Sequence, residues 1–314
     1  MVVAMVAFTT NDAITKFCSE SMNMAQVMLV RGVFSALLVG VLAWRSGALA
    51  APRLMLQPIV ALRVIAEVGA TVAFLLALAQ LPLANVSAVM QSLSLAVTMG
   101  AALVLGERVG WRRWLAIAAG FGGVLVIVRP GFEGFSVYSL VALASVIFCA
   151  VRDLATKCIP ARVPTLLVSS STTLAMMAAG VLLLQPMGGW SPMTAESTGL
   201  LALAAIMVVI GYQFLILSMR TGEVSFIAPF RYTSLVWAIV LSIVIFADFP
   251  DLAMIAGSTV IVASGLYAFH RERVRSAAAG TAAERAGPAL EPEGIWAASE
   301  LWPRSGNGTD DGQG

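Results

Sequence analysis

Residues 83–131 read LANVSAVMQSLSLAVTMGAALVLGERVGWRRWLAIAAGFGGVLVIVRPG. Two apolar runs, 83–105 and 111–128, flank the short polar link from Gly106 to Gly110. Each run is about as long as the hydrocarbon core of a bilayer is thick when coiled as a helix. So short a link forces the two helices to run antiparallel.

The same reading extends along the chain in both directions. Ten segments qualify as spans: 2–17, 24–44, 59–79, 83–105, 111–128, 138–154, 164–184, 200–219, 224–246 and 252–269. The first is the shortest and most polar. Composition agrees, because 59% of the 314 residues are hydrophobic, only 11% are charged and the mean hydropathy is +0.90. Soluble domains carry about a quarter charged residues, and no single core of this size hides so much apolar surface. The expected fold is an all-α membrane protein with ten transmembrane helices, consecutive helices packing as antiparallel neighbours.

Several function classes fall away. A net charge of +2, with Lys and Arg placed as punctuation between spans, gives no nucleic-acid footprint. The cysteines Cys18, Cys149 and Cys158 lack metal or redox spacing, so neither a metal nor a cofactor is expected. The single His270 sits at a helix end, and no Gly-x-Ser-x-Gly elbow occurs, which argues against an enzyme. No filter-like Gly repeat suggests a channel. The apolar start lacks a basic region and a cleavage site, so no removable signal peptide is expected.

Orientation follows from positive charge, which cytoplasmic loops retain. With the N-terminus inside, twelve Lys and Arg residues, Arg45, Arg112, Arg113, Arg152 and Lys157 among them, fall on one face. Only Lys16 and Arg129 fall on the other. Both termini are expected in the cytoplasm, with the chain in the inner membrane. The residues after 271 turn to Ala, Gly, Glu, Pro and Ser and are expected to form a disordered tail over 272–314.

The halves are alike. Val86–Glu107 runs from a small polar start to an acidic end, as does Val224–Asp248. Each precedes a span rich in small residues, Gly120, Gly122 and Gly123 in one and Gly257, Ser264 and Gly265 in the other, which let helices approach closely. Five spans per half is an odd number, so the repeats, 1–131 and 132–271, must be inverted. Inverted repeats are a signature of secondary transporters, with a binding site near the midplane.

Local strings carry a family resemblance. Leu105-Gly106-Glu107-Arg108, the run ending Val126-Ile127-Val128-Arg129-Pro130-Gly131, and Ala228-Pro229-Phe230-Arg231-Tyr232 resemble the EamA family of the drug/metabolite transporter superfamily. Phe8-Thr9-Thr10-Asn11-Asp12-Ala13, Pro82-Leu83-Ala84-Asn85-Val86-Ser87-Ala88 and Arg152-Asp153-Leu154-Ala155 are similar to bacterial riboflavin uptake permeases of the RibN type. The resemblance implies a permease with two five-helix repeats that imports riboflavin by alternating access. S-adenosylmethionine, an amino acid or a drug-like compound, carried inward or outward, is the alternative. The implied partners are a small-molecule substrate and the bilayer; a homodimer is left open.

Candidate site residues are polar groups whose burial in lipid is costly unless they face a cavity or one another. Asn11, Gln91, Gln213 and Arg231 are expected to hydrogen-bond the substrate, Phe8, Tyr212, Phe230, Tyr232 and Trp237 to stack on it. An inverted repeat would set Gln91 and Arg231 across a central cavity. Asp12 and Lys16 are four apart and expected to neutralise one another. Arg31 and Glu67 are expected to clamp neighbouring helices within the first repeat, with Arg63 reaching to the interface; a coupling role for the charges Asp12, Arg31 and Glu67 is the alternative.

Overall fold

The computed structural model describes residues 1–47, 54–55, 57–107, 109–130, 135–160, 163–221 and 228–286. Every regular element among them is helical. The helices are α1 (Val2–Ser19), α2 (Met24–Arg45), α3 (Pro58–Gln80), α4 (Leu83–Met90), α5 (Leu93–Val104) and α6 (Trp111–Val128). They continue with α7 (Val137–Lys157), α8 (Thr165–Leu184), α9 (Ala195–Thr221), a 3-10 turn (Ala228–Tyr232), α10 (Thr233–Phe246) and α11 (Leu252–Ala286). The helix pair α4 and α5, broken at Gln91 and Ser92, makes one crossing; the 3-10 turn and α10 make another.

Eight helices among the described residues are long and apolar enough to cross a membrane, and Phe230–Phe246 is a shorter apolar helix. α1 carries Asn11, Asp12 and Lys16 and is not among the eight. The chain is a multi-pass membrane protein. Helix starts are written locally: Asn23 accepts from the Gln26 amide at 2.9 Å, Pro58 opens α3, and Asp251 accepts from the Met254 amide at 2.8 Å.

Residues Met1–His270 form one compact unit. Its packing corrects one expectation, that consecutive helices are principal neighbours. The most extensive contacts are α3 with α7, α2 with α8 and α1 with α9, each joining the two halves of the chain. Short links hold helix ends together but allow the helices to splay, and a helix from the other half fills the gap. Small residues permit the closest crossings. A Cβ on Gly123 would lie 2.7 Å from the Gly257 carbonyl oxygen, and one on Gly257 would lie 2.6 Å from that of Gly123. Backbones of α6 and α11 touch there.

The expected disordered tail needs a second correction, since α11 runs on to Ala286. The stretch 273–286 is rich in Ala and Arg, strong helix formers, and Gly287-Pro288 follows it. Residues 287–314 lie outside the described residues.

Candidate functional site

A cavity of about 400 Å³ lies within the bundle, inside the size range of pockets for small organic ligands. Its wall takes side chains from both halves: Phe8, Asn11 and Asp12 on α1, Arg31 on α2, Glu67 and Phe74 on α3, and Gln91 and Ser94 at the helix break. Opposite them stand Ser145 and Arg152 on α7, Thr172 and Met176 on α8, Tyr212 on α9, and Arg231, Tyr232 and Ser234 around the 3-10 turn.

The break between α4 and α5 meets the turn before α10. The Gln91 amide donates to the Ser234 hydroxyl at 2.7 Å, and the hydroxyls of Ser94 and Tyr232 are 3.0 Å apart. The two interrupted crossings are thus tied at the cavity wall. Gln91 and Arg231 both reach the cavity. Tyr232 is held further by Gly265, where any Cβ would collide with its hydroxyl.

Several charges in the bundle are paired, though in a different way from the sequence expectation. Glu67 does not clamp Arg31. Its carboxylate accepts from Arg152 of α7 at 3.2 Å, with Arg63 3.6 Å away, and Arg152 also binds Asp153 at 2.8 Å. The reason is topological, because α3 lies along α7 rather than along α2. Arg31 instead donates to Asn11 at 3.1 Å and Thr15 at 3.4 Å, with Asp12 in electrostatic reach. Arg63 does not run out to the interface either; it donates to the hydroxyls of Thr156 and Thr172 at 3.1 and 2.6 Å.

Asp12 and Lys16 do not form the expected pair. Asp12 accepts from the Asn11 amide at 2.9 Å, whereas Lys16 donates to the carbonyls of Leu78 and Leu81 at 3.1 and 2.6 Å. The last turn of α3 leaves carbonyls without intrahelical partners, and a buried ammonium satisfies them. Lys16 also stands 5.4 Å from the centre of the Phe246 ring.

Of the expected aromatics, Tyr212 and Tyr232 line the cavity, and Phe8 meets Tyr212 edge-on with ring centres 5.1 Å apart. Phe230 and Trp237 stand outside its wall, 39% and 37% exposed. A helix presents side chains around its whole circumference, and these two fall on faces turned away. The Gln213 side chain lies outside the described residues. Arg152 was missed as a site residue. Its signal was available, since Arg152 and Asp153 fall inside an expected span, where charges face the bundle interior.

Comparison with known proteins adds a family to this geometry. Residues 1–129 match the EamA-like transporter family. The EamA resemblance read from the sequence is borne out by that match. The chain is 26% identical to the pseudopaline exporter of Pseudomonas aeruginosa over 83% of its own length and 91% of the exporter's. It is 26% identical to the riboflavin transporter of Rhizobium johnstonii, covering 65% of this chain and 67% of that one. It is 24% identical to the S-adenosylmethionine uptake transporter of Rickettsia prowazekii, covering 86% and 91%. A solved structure, titled only as the crystal structure of a protein, matches with a TM-score of 0.54 and 21% identity, over 84% of this chain and 94% of that chain. That likeness concerns the fold.

Proposed function

We propose that this protein is a secondary transporter of the inner membrane, with both ends in the cytoplasm, that carries a small organic metabolite by alternating access of the central cavity. The observation that carries the reading is a cavity with a polar wall, enclosed by the paired halves of a membrane bundle. Polar groups inside lipid are costly, so their gathering around one space marks a path for something other than lipid.

The packing supports an inverted repeat behind this cycle. Exchanging the halves turns the α1–α9 contact into the α3–α7 contact. It also maps the approach of Gly211 to Phe8 onto that of Gly69 to Phe148. The α2–α8 contact maps onto itself, with Gly32 facing Met177 and Gly180 facing Leu29. In such repeats the substrate site lies between the halves, and rocking of one against the other moves access from side to side.

The test is reconstitution. Proteoliposomes should show saturable uptake and accelerated exchange when preloaded with substrate. Flux that rises linearly with concentration and shows no exchange would make the protein a pore.

Riboflavin is a second reading for the substrate, favoured by the aromatic side chains of Phe8, Tyr212 and Tyr232 on the cavity wall. Growth of a riboflavin auxotroph on micromolar vitamin, dependent on this gene, tests it. Failure to rescue with the protein present in the membrane removes it.

A further inference from the structure

The charges around the cavity can be matched group by group. Glu67 and Asp153 together neutralise Arg152 and Arg63. Asp12 stands against Arg31, which is held by Asn11 and Thr15. That leaves Arg231. Arg231 lines the cavity, and its guanidinium has no hydrogen-bond or ion-pair partner among the described residues. Its place is set by the 3-10 turn, whose next residue, Tyr232, is buried against Ser94 and Gly265.

A guanidinium inside a bundle without a counter-charge is costly, and a cavity that keeps one favours whatever supplies that charge. A carboxylate suits it, because the planar guanidinium fork donates two parallel hydrogen bonds to its two oxygens. One positive charge without a counter-charge among the described residues matches one carboxylate. A phosphate monoester brings nearly two negative charges at neutral pH and would overshoot. The wall also has an apolar, adaptable part beside its polar groups: Met5, Met28, Met90 and Met176 line the space with Phe74. Thioether chains reshape themselves around different apolar bodies.

We infer that the transported substrate is an amphipathic organic monoanion whose carboxylate is held by Arg231 and whose apolar body lies against the methionine-rich wall. The inference rests on the cavity being the transport site. It disfavours a net cation, and a neutral substrate such as riboflavin would leave the Arg231 charge unmatched.

The test uses the purified full chain and one apolar body with four head groups: hydrocinnamate, hydrocinnamamide, phenylpropylamine and phenylethyl phosphate. Binding is read as ligand-dependent thermal stabilisation. Hydrocinnamate should bind about tenfold or more tightly than the amide, the ratio one charge-assisted bond supports, and better than the amine or the phosphate. Arg231→Gln should erase the preference for the carboxylate over the amide, and Arg231→Lys should keep part of it. A carboxylate that does no better than its amide, whatever the absolute shifts, overturns the inference. So does a preference that survives Arg231→Gln. If Arg231→Gln cannot be purified folded, the head-group series on the native chain with Arg231→Lys decides. Saturable exchange of the amide or the amine, but not of the carboxylate, would keep the transporter and remove the anion. Carboxylate selectivity lost in Arg231→Gln, without exchange of hydrocinnamate in proteoliposomes, would keep the anion site and remove the transporter.

Discussion

Two of the seams that join the halves of this bundle, α3–α7 and α1–α9, are built from different chemistry on similar geometry. At each, a glycine admits a phenylalanine ring from the facing helix: Gly69 of α3 faces Phe148 of α7, and Gly211 of α9 faces Phe8 of α1. The α3–α7 seam adds the Glu67–Arg152 ion pair and a hydrogen bond from Ser145 to the Ala70 carbonyl at 2.9 Å. Across the α1–α9 seam the described residues place the edge-on pair of Phe8 and Tyr212, and no ion pair joins those two helices among them. Among the described residues one seam is locked by polar groups, and the other rests chiefly on packing, with the Ser218 hydroxyl reaching the Met1 sulfur at 3.6 Å at its end. The locked seam is a structural fastening at the cavity wall, and the apolar seam presents its aromatic rings to whatever the cavity holds.

Removing a charge should break this contrast most visibly. Glu67→Gln leaves Arg152 facing a neutral amide in a region where both side chains are largely buried, 9% and 19% exposed. Breaking one partner of a buried pair costs about 3 kcal/mol or more. Asp12→Asn on α1 should cost about 1 kcal/mol, since Arg31 keeps Asn11 and Thr15 as acceptors. Denaturant unfolding in detergent measures both. Equal losses at the two sites would erase the distinction between the seams. Adding Arg152→Met to Glu67→Gln should recover little of the loss, because Arg152 keeps Asp153 as a partner and its removal strands that carboxylate.

The next contrast concerns the glycines. An added methyl at Gly211 would lie 2.7 Å from the Phe8 ring, and one at Gly69 would lie 3.0 Å from the Phe148 ring. Gly211→Ala must therefore push a ring that also contacts Tyr212, at about 2 kcal/mol, whereas Gly69→Ala needs a smaller shift, at about 1 kcal/mol. Gly211→Ala should also weaken substrate affinity, because Phe8 and Tyr212 line the cavity. Unchanged binding in a stable Gly211→Ala protein would mean these rings only pack.

The sequence made the spans legible and left their partners hidden. The run 111–128 is the helix Trp111–Val128, and 24–44 differs from Met24–Arg45 by a single residue. Lipid demands an uninterrupted apolar run of set length, and that demand is written locally. Gly123 and Gly257 were readable as close-approach points for the same reason, though Gly122 faces open space. Glu67 shows where locality ends. Its carboxylate is visibly costly in a span, and Arg63 four residues away is a visible neighbour, but Arg152 is 85 residues distant and comes near only through the pairing of α3 with α7. Phe230 and Trp237 fail similarly, since composition cannot say which side of a helix faces the cavity.

The smallest effect separates polar locking from mere packing. Ser145 donates across the locked seam to the Ala70 carbonyl, and its hydroxyl is buried. The corresponding hydroxyl near the other seam, Thr9, bonds the Met5 carbonyl of its own helix at 2.8 Å. Ser145→Ala should therefore cost about 1 kcal/mol, the net worth of one interhelical hydrogen bond whose acceptor belongs to a helix and already has a backbone donor. Thr9→Val should cost less, because its short hydroxyl bond is to its own helix, its interhelical contact with the Ser234 carbonyl is long at 3.5 Å, and the branched shape is conserved. Combined with Glu67→Gln, the Ser145→Ala loss should bring the pair short of the sum of the single losses if the two polar contacts fasten one seam cooperatively, because each single change already loosens the other contact. Strict additivity of the pair would make them independent contacts that happen to lie on the same two helices.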